Sequence, residues 1–131
     1  MFDLTGKVAF ITGAGQGMGA GVAATLAAQG AAVGVNDLHE HRAAQTVAAI
    51  VAAGGRAVVA AGDVRDRASM NAAIDITEGE FGAVDILIHN AGIPSDGFPL
   101  ARFRDLDPVN WDLWMPVPLG RASCRSTPPS W

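Results

Sequence analysis

The sequence predicts an α/β fold, a parallel sheet with helices on both faces. Three observations predict it. Short, uninterrupted apolar runs recur four times along the chain. Segments with helical apolar spacing alternate with them, and glycine or a small polar residue marks nearly every exit. Alternation of this kind implies right-handed crossovers between parallel strands.

Val8-Ala9-Phe10-Ile11 is continuously apolar and ends in Thr12-Gly13, the pattern of a buried parallel strand. Residues 18–29 follow as a helix with Met18, Val22 and Leu26 on one face, and Gly30 closes it. Ala32-Val33-Gly34-Val35 is the second buried strand, ending at Asn36-Asp37. Over residues 40–53, Ala44, Val47, Ala48 and Val51 recur at helical spacing until Gly54-Gly55 stops the helix. Residues 57–61 read as a third strand, followed by Gly62-Asp63-Val64. Asp66 is the expected N-cap of a third helix, with Met70, Ala73, Ile74, Thr77 and Phe81 inward and Gly82 at its end. Residues 84–89 form a fourth strand, and Asn90-Ala91-Gly92 makes the turn out of it. Many of the 25 alanines fall on the helices, where a small side chain permits close helix-to-sheet packing.

Composition bounds the function. The chain has 131 residues, half of them apolar, with 9 basic against 13 acidic residues and a net charge of -4. A chain of this length buries about two thirds of its unfolded surface, enough for one domain with a real core. The acidic balance argues against nucleic acid or an anionic membrane as partner, since both call for clustered Lys and Arg. A single cysteine excludes an internal disulfide framework. No run of about 18 uninterrupted apolar residues exists, so no membrane span is expected. The opening Met1-Phe2-Asp3 lacks the character of a signal peptide, and the cytoplasm is the expected compartment.

The loop Thr12-Gly13-Ala14-Gly15-Gln16-Gly17-Met18-Gly19 joins the first strand to the first helix. A diphosphate bound there lies against the backbone, so side chains at the turn would block it. The first helical turn adds unpaired N–H groups and the positive end of the helix dipole. Asp37 lies 18 residues beyond Gly19, at the end of the second strand. A carboxylate there accepts hydrogen bonds from ribose hydroxyls and repels a 2′-phosphate. Gln16 and Leu38 are not basic, so nothing adjacent in sequence neutralises such a phosphate, and NAD is expected in preference to NADP. Taken singly, the glycines read as a tight turn, Asp37 as a solvated turn carboxylate, and Asp63 and Asn90 as local caps.

The ordered set resembles the short-chain dehydrogenase/reductase family. Thr12-Gly13, Gly17 and Gly19 are spaced as in that family's cofactor motif. Asp63-Val64 is similar to the pair flanking the adenine, and Asn90-Ala91-Gly92 to the family's Asn-Ala-Gly motif. The opening Leu4-Thr5-Gly6-Lys7-Val8-Ala9 also looks like the family's beginning, and the likeness runs over residues 4–119. The resemblance implies a Rossmann-like parallel sheet with helices on both faces, incomplete, with about four strands in the order 3-2-1-4. It implies cofactor contacts at Gly13, Gln16, Gly17, Met18, Gly19, Asp37, Leu38, Asp63, Val64, Asn90, Ala91 and Gly92. The family's activity is reversible carbonyl–alcohol oxidoreduction on small-molecule alcohols or ketones.

The family's catalytic residues are not matched. They are an Asn, a Ser and a Tyr-x-x-x-Lys pair, with the Tyr as acid or base. The chain has no tyrosine, and its one lysine is Lys7. Pro118 stands where the catalytic Asn would follow the segment 111–117, and Ser123, Ser126 and Ser130 lack the expected surroundings. A positioned proton donor contributes about 10²–10⁴-fold to such a reaction. Residues 1–115 are therefore expected to form a dinucleotide-binding half-domain and 116–131 an irregular tail. The Ser/Pro/Arg character of that tail suggests a truncated or frameshifted longer gene. The alternatives are a non-catalytic dinucleotide-binding or interaction module, pairing through an exposed sheet edge, and a non-functional truncated product. His39 and His41, two apart on an expected helix, do not suggest a metal pair. His89 reads as packed or hydrogen-bonded at a strand end, Cys124 has no His-Asp partners, and Trp111 and Trp114 read as packing residues.

Overall fold

Four apolar runs of three or four residues each build the sheet, and their pattern decides which side of it each helix covers. A computed structural model of the protein describes residues 2–92. The strands are β1 (Val8–Ile11), β2 (Ala32–Val35), β3 (Arg56–Val59) and β4 (Ile86–Ile88). The helices between them are α1 (Gly17–Ala28), α2 (Glu40–Ala52) and α3 (Arg67–Phe81). All pairings are parallel, in the order β3-β2-β1-β4, with Val8 opposite Ala32, Ala32 opposite Arg56, and Ala9 opposite Ile86. This is the Rossmann-like α/β architecture that the sequence predicts.

Period-two alternation sorts β1 between two cores. Ala9 and Ile11 join Val33 and Val35 against Ala23 and Ala27 of α1 and Ala43 and Ile50 of α2. Phe10 points the other way, into a cluster with Ala60, Val64 and the α3 residues Met70 and Ala73. The helices thus cover both faces. Burying a side chain like Phe10 fully stabilises the fold by about 2–3 kcal/mol. Gly34 on β2 is buried beneath α3: a Cβ there would collide with Thr77 Oγ1, with Phe10 Cδ2 3.0 Å away. Its glycine is what lets the helix approach.

The caps differ between helices. Asp66 caps α3, its carboxylate oxygens accepting from Ala68 N at 3.2 Å and Ser69 N at 3.3 Å. Gln16 at the head of α1 and His39 at the head of α2 make no side-chain cap.

Two helix faces are rotated by one position from the sequence expectation. On α1 the buried residues are Gly19, Ala23 and Ala27; Met18 is 81% exposed, and Val22 and Leu26 are half-buried. On α2 they are Ala43, Thr46 and Ile50, whereas Ala44 and Ala48 are exposed and Val51 is 53% exposed. At the closest approach of α1 the sheet admits only glycine and alanine, so the larger Met18, Val22 and Leu26 move to the flank, whereas α2 seats Ile50 in the core beside Ala43. On α3, Met70, Ala73 and Thr77 are buried and Ile74 and Phe81 half-buried, as the spacing predicts. Strand β3 begins at Arg56 rather than residue 57 and ends two residues earlier than expected, and β4 is shorter than residues 84–89. Neither is fully buried among the described residues, because each has a neighbour in the sheet on one side only. His89, expected to be packed or hydrogen-bonded at the end of a buried strand, is exposed. The expected boundary at residue 115, the tail, Cys124, Trp111, Trp114 and Pro118 lie outside the described residues.

Candidate functional site

Parallel strands deliver all their carboxyl ends to one edge of the sheet. The chain winds outward from β1 through β2 to β3, then crosses back to place β4 on the far side of β1. At such a switch point the loops on either side diverge and leave a crevice. A cleft of about 670 Å³ lies at this edge, lined from all four strand exits.

The exit of β1 supplies Gly13, Gln16, Gly17 and Met18. Gly13 has φ +63°, and a Cβ there would come within 2.8 Å of Ala91 Cα, so both conformation and space demand glycine. Gly17 has φ +56° and nothing within 4 Å of a would-be Cβ, so the backbone faces open cleft. Helix α1 starts at that residue without a side-chain cap or an acid in its first turn. Its N-terminal dipole and first N–H groups are therefore not neutralised by the chain itself.

The exit of β2 supplies Asn36, Asp37, Leu38, His39 and Arg42. Asp37 is only 6% exposed, which removes the solvated-turn alternative. Its Oδ2 accepts from Gly15 N at 3.1 Å and its Oδ1 from His39 N at 2.9 Å. The carboxylate thus draws the glycine loop onto the end of β2. Gly15 is required for that contact, because a Cβ would lie 2.6 Å from both Asp37 Oδ2 and Arg42 Cβ. Asn36 lies beneath: its Nδ2 donates to Ala60 O at 2.8 Å and Gly62 O at 3.2 Å, and its carbonyl accepts from Ala14 N at 2.7 Å. One residue thereby joins the loops after β1, β2 and β3.

The exit of β3 supplies Gly62, Asp63, Val64 and Arg65. Arg65 Nη2 donates to Asp63 Oδ2 at 2.7 Å and Nε to Oδ1 at 3.0 Å. The Arg65 guanidinium, through those hydrogen bonds, lowers the Asp63 pKa below 3.8, and Asp63 raises that of Arg65 in return. The exit of β4 supplies Asn90, Ala91 and Gly92. Asn90 Nδ2 donates to Gly13 O at 3.0 Å, while Thr12 Oγ1 accepts from Asn90 N at 3.1 Å and Ala91 N at 3.2 Å.

Eleven of the twelve residues singled out in the sequence line the cleft. Gly19 does not. It is buried behind the loop, where a Cβ would collide with Asn90 Nδ2 and Gly13 O. Asn36, His39, Arg42, Gly62 and Arg65 also line the cleft and were not singled out. Asn36 and Gly62 adjoin flagged residues, and proximity was their only signal. His39 is the N-cap of α2, with extended backbone at φ -100° and ψ 109°. The i, i+2 separation of a helix therefore does not apply, and its ring lies 5.7 Å from that of His41. Among the described residues no three His, Cys, Asp or Glu side chains converge as a metal site. Nor is any helix among them long and apolar enough to cross a membrane. The ionisable side chains of the lining are Asp37, His39, Arg42, Asp63 and Arg65. The arrangement suits holding an anion at α1 and a hydroxylated group at Asp37.

The family model for short chain dehydrogenases matches residues 7–119. The chain is 37% identical over 118 residues to D-threitol dehydrogenase of Mycolicibacterium smegmatis, covering 90% of this chain and 44% of that protein. It is 39% identical over 103 residues to 3-oxoacyl-(acyl-carrier-protein) reductase of Escherichia coli, covering 79% of this chain and 41% of that protein. A crystal structure of a short-chain type dehydrogenase/reductase from Mycobacterium marinum superposes with a TM-score of 0.77 at 33% identity, covering 86% of this chain and 44% of that one. The chain spans less than half the length of these relatives. Sequence match, strand order and the cleft at the switch point agree: the chain belongs to the short-chain dehydrogenase family of oxidoreductases.

Proposed function

We propose that this chain is the dinucleotide-binding portion of a short-chain dehydrogenase, that it takes NAD in preference to NADP, and that it does not turn over an alcohol or ketone by itself. The observation that carries the reading is the bare start of α1. Glycine backbone and an uncapped helix N-terminus face a cleft that Asp37 borders from the next strand. The residues present fit the group. The diphosphate would sit at Gly13, Gln16, Gly17 and Met18, with Gly19 behind them. Asp37 and Leu38 would hold the ribose side, and Asp63 with Val64 the adenine. Asn90, Ala91 and Gly92 would close the far wall. When bound, the nicotinamide supplies hydride transfer.

The absence of tyrosine supports the second half of the proposal. Among the described residues no lining residue is a Tyr, Ser, Cys or Lys, so these residues offer none of the hydroxyl or amine donors that the family uses beside a carbonyl. On this reading the substrate class, a small alcohol or ketone, belongs to the complete family protein, and the cytoplasm is its compartment.

Thermal unfolding with and without each dinucleotide tests it. A ligand at a hundred times its Kd adds about 2.7 kcal/mol of stability. A shift with NAD exceeding that with NADP, without turnover, is expected. Cooperative unfolding with no shift for either dinucleotide would refute binding and favour an interaction module that self-associates through the sheet edge. Loss of any cooperative transition would favour a non-functional product.

A further inference from the structure

Two of the four methionines fall among the described residues, and the fold treats them in opposite ways. Met70 packs from α3 into the cluster around Phe10 and is 2% exposed. Met18 is 81% exposed, belongs to neither hydrophobic cluster and lines the cleft from the second position of α1. Helical side chains tilt toward the N-terminus of their own helix, so the unbranched Met18 side chain leans over the first turn of α1. Gln16 gives that turn no side-chain cap, and the turn holds no acid. The first N–H groups of a helix have no acceptor within it. A flexible, exposed thioether thus stands over open donors, at the place proposed above for the diphosphate.

We propose that Met18 is an oxidation site whose sulfoxide caps α1 and so competes with the diphosphate for the cleft. The inference rests on the dinucleotide reading above and adds a control to it. A hydroperoxide supplies the oxygen. A lone pair of Met18 Sδ attacks the peroxide, and an S–O bond forms as the O–O bond breaks. The sulfur loses two electrons, and hydrogen peroxide is reduced to water. The product is neutral, but its oxygen carries partial negative charge and accepts hydrogen bonds. That oxygen meets both demands of the helix start, an acceptor for the N–H groups and negative charge at the positive end of the dipole. A diphosphate must displace it to reach the same amides. Burial shields Met70 from the oxidant, so of the two described sulfurs only Met18 responds. Sulfoxide reductases regenerate the thioether, which makes the effect reversible.

The experiment treats the full chain with hydrogen peroxide and locates the added oxygen by peptide mass spectrometry. Calorimetric affinities for NAD and 5′-ADP are measured together with amide exchange at residues 17–19. Met18→Leu is compared with itself before and after treatment, and Met18→Gln supplies a neutral acceptor without oxidation. Met18 is expected to oxidise before Met70, and more slowly when NAD is bound. Oxidation should weaken both affinities about two- to tenfold, slow exchange at the start of α1, and be undone by methionine sulfoxide reductases. Met18→Gln should bind like the oxidised chain, and peroxide should not change the affinity of Met18→Leu. Unchanged affinity in a chain oxidised at Met18 overturns the proposal, as does an equal loss in treated Met18→Leu. Weaker binding without slower exchange at residues 17–19 removes the cap and overturns it as well. Failure of the untreated chain to bind either nucleotide refutes the dinucleotide reading itself, while slower exchange on oxidation would still support the cap.

Discussion

Replacing Gly19 by alanine reverses the usual sign of a glycine-to-alanine change inside a helix. In an exposed helix interior that change gains about 1 kcal/mol. At Gly19 the new Cβ would be forced against Gly13 O and Asn90 Nδ2, with Ala14 Cα 3.0 Å away. Two of those three atoms are backbone and cannot swing aside. Overpacking of this kind costs about 1–3 kcal/mol. Displacing Asn90 also breaks its 3.0 Å hydrogen bond to Gly13 O, a further loss of about 1 kcal/mol. Against the propensity gain, the net destabilisation is about 1–3 kcal/mol. Gly21, on the same helix with nothing within 4 Å of its would-be Cβ, is the control. Its alanine variant should gain about 0.4–1 kcal/mol. Urea titration of both variants reads the difference. With a slope of about 1–3 kcal/mol/M, the midpoints should move in opposite directions, by about 1 M for Gly19→Ala. A Gly19→Ala midpoint at or above wild type would show that α1 does not need this close approach.

The same logic applies beneath α3. Gly34→Ala should destabilise by about 1–3 kcal/mol through collision with Thr77. Adding Thr77→Ala removes the two Thr77 atoms in the way and leaves Phe10 Cδ2 at 3.0 Å, so a double-mutant cycle should return a favourable coupling of about 0.5–3 kcal/mol; simple additivity would refute the contact. The acid side of the stability curve should depend on Asp85 and Asp63. The pKa of Asp85 is lowered below 3.8, first by the hydrogen bond from Val8 N at 2.9 Å and then by Lys7; that of Asp63 is lowered by Arg65. A carboxyl lowered in the folded state contributes stability above its unfolded value and loses it as pH falls towards the folded one. Asp85→Asn should therefore flatten the loss of stability below about pH 4, as followed by urea midpoints; an unchanged slope would remove Asp85 from the account.

Among the described residues the alternation of strands and helices was legible because local rules and tertiary demands coincide there, while the strand order follows from the family resemblance. An apolar run of four residues ending in Thr12-Gly13 has the length and the exit of a buried strand that turns sharply. Asp66 followed by the Met70, Ala73, Thr77 spacing marks both the start and the face of α3. Helix faces were misread where size and burial conflict. On α1 the large apolar residues Met18 and Leu26 suggest an inner face, but contact with the sheet selects Gly19, Ala23 and Ala27. On α2 the buried Thr46 is polar and the exposed Val51 is not, so hydrophobic spacing rotates the helix by one position. Within the site, spacing along the chain points only to Gln16 and Leu38, the neighbours of the motif residues, as side chains near a ribose phosphate. Arg42 stands five positions beyond Asp37 and lines the cleft from the first turn of α2. A distance set by folding has no imprint on spacing along the chain.

The hydroxyl of Thr12 meets the amides of Asn90 and Ala91, 78 and 79 residues further along. Closing so long a stretch is entropically costly and favours late assembly. The seam between β1 and β4 is then the natural place for the sheet to begin unzipping, and amide exchange should be fastest on the β4 side of it. A molecule touching both margins of that seam would act as a clasp, slowing its opening without touching either hydrophobic cluster.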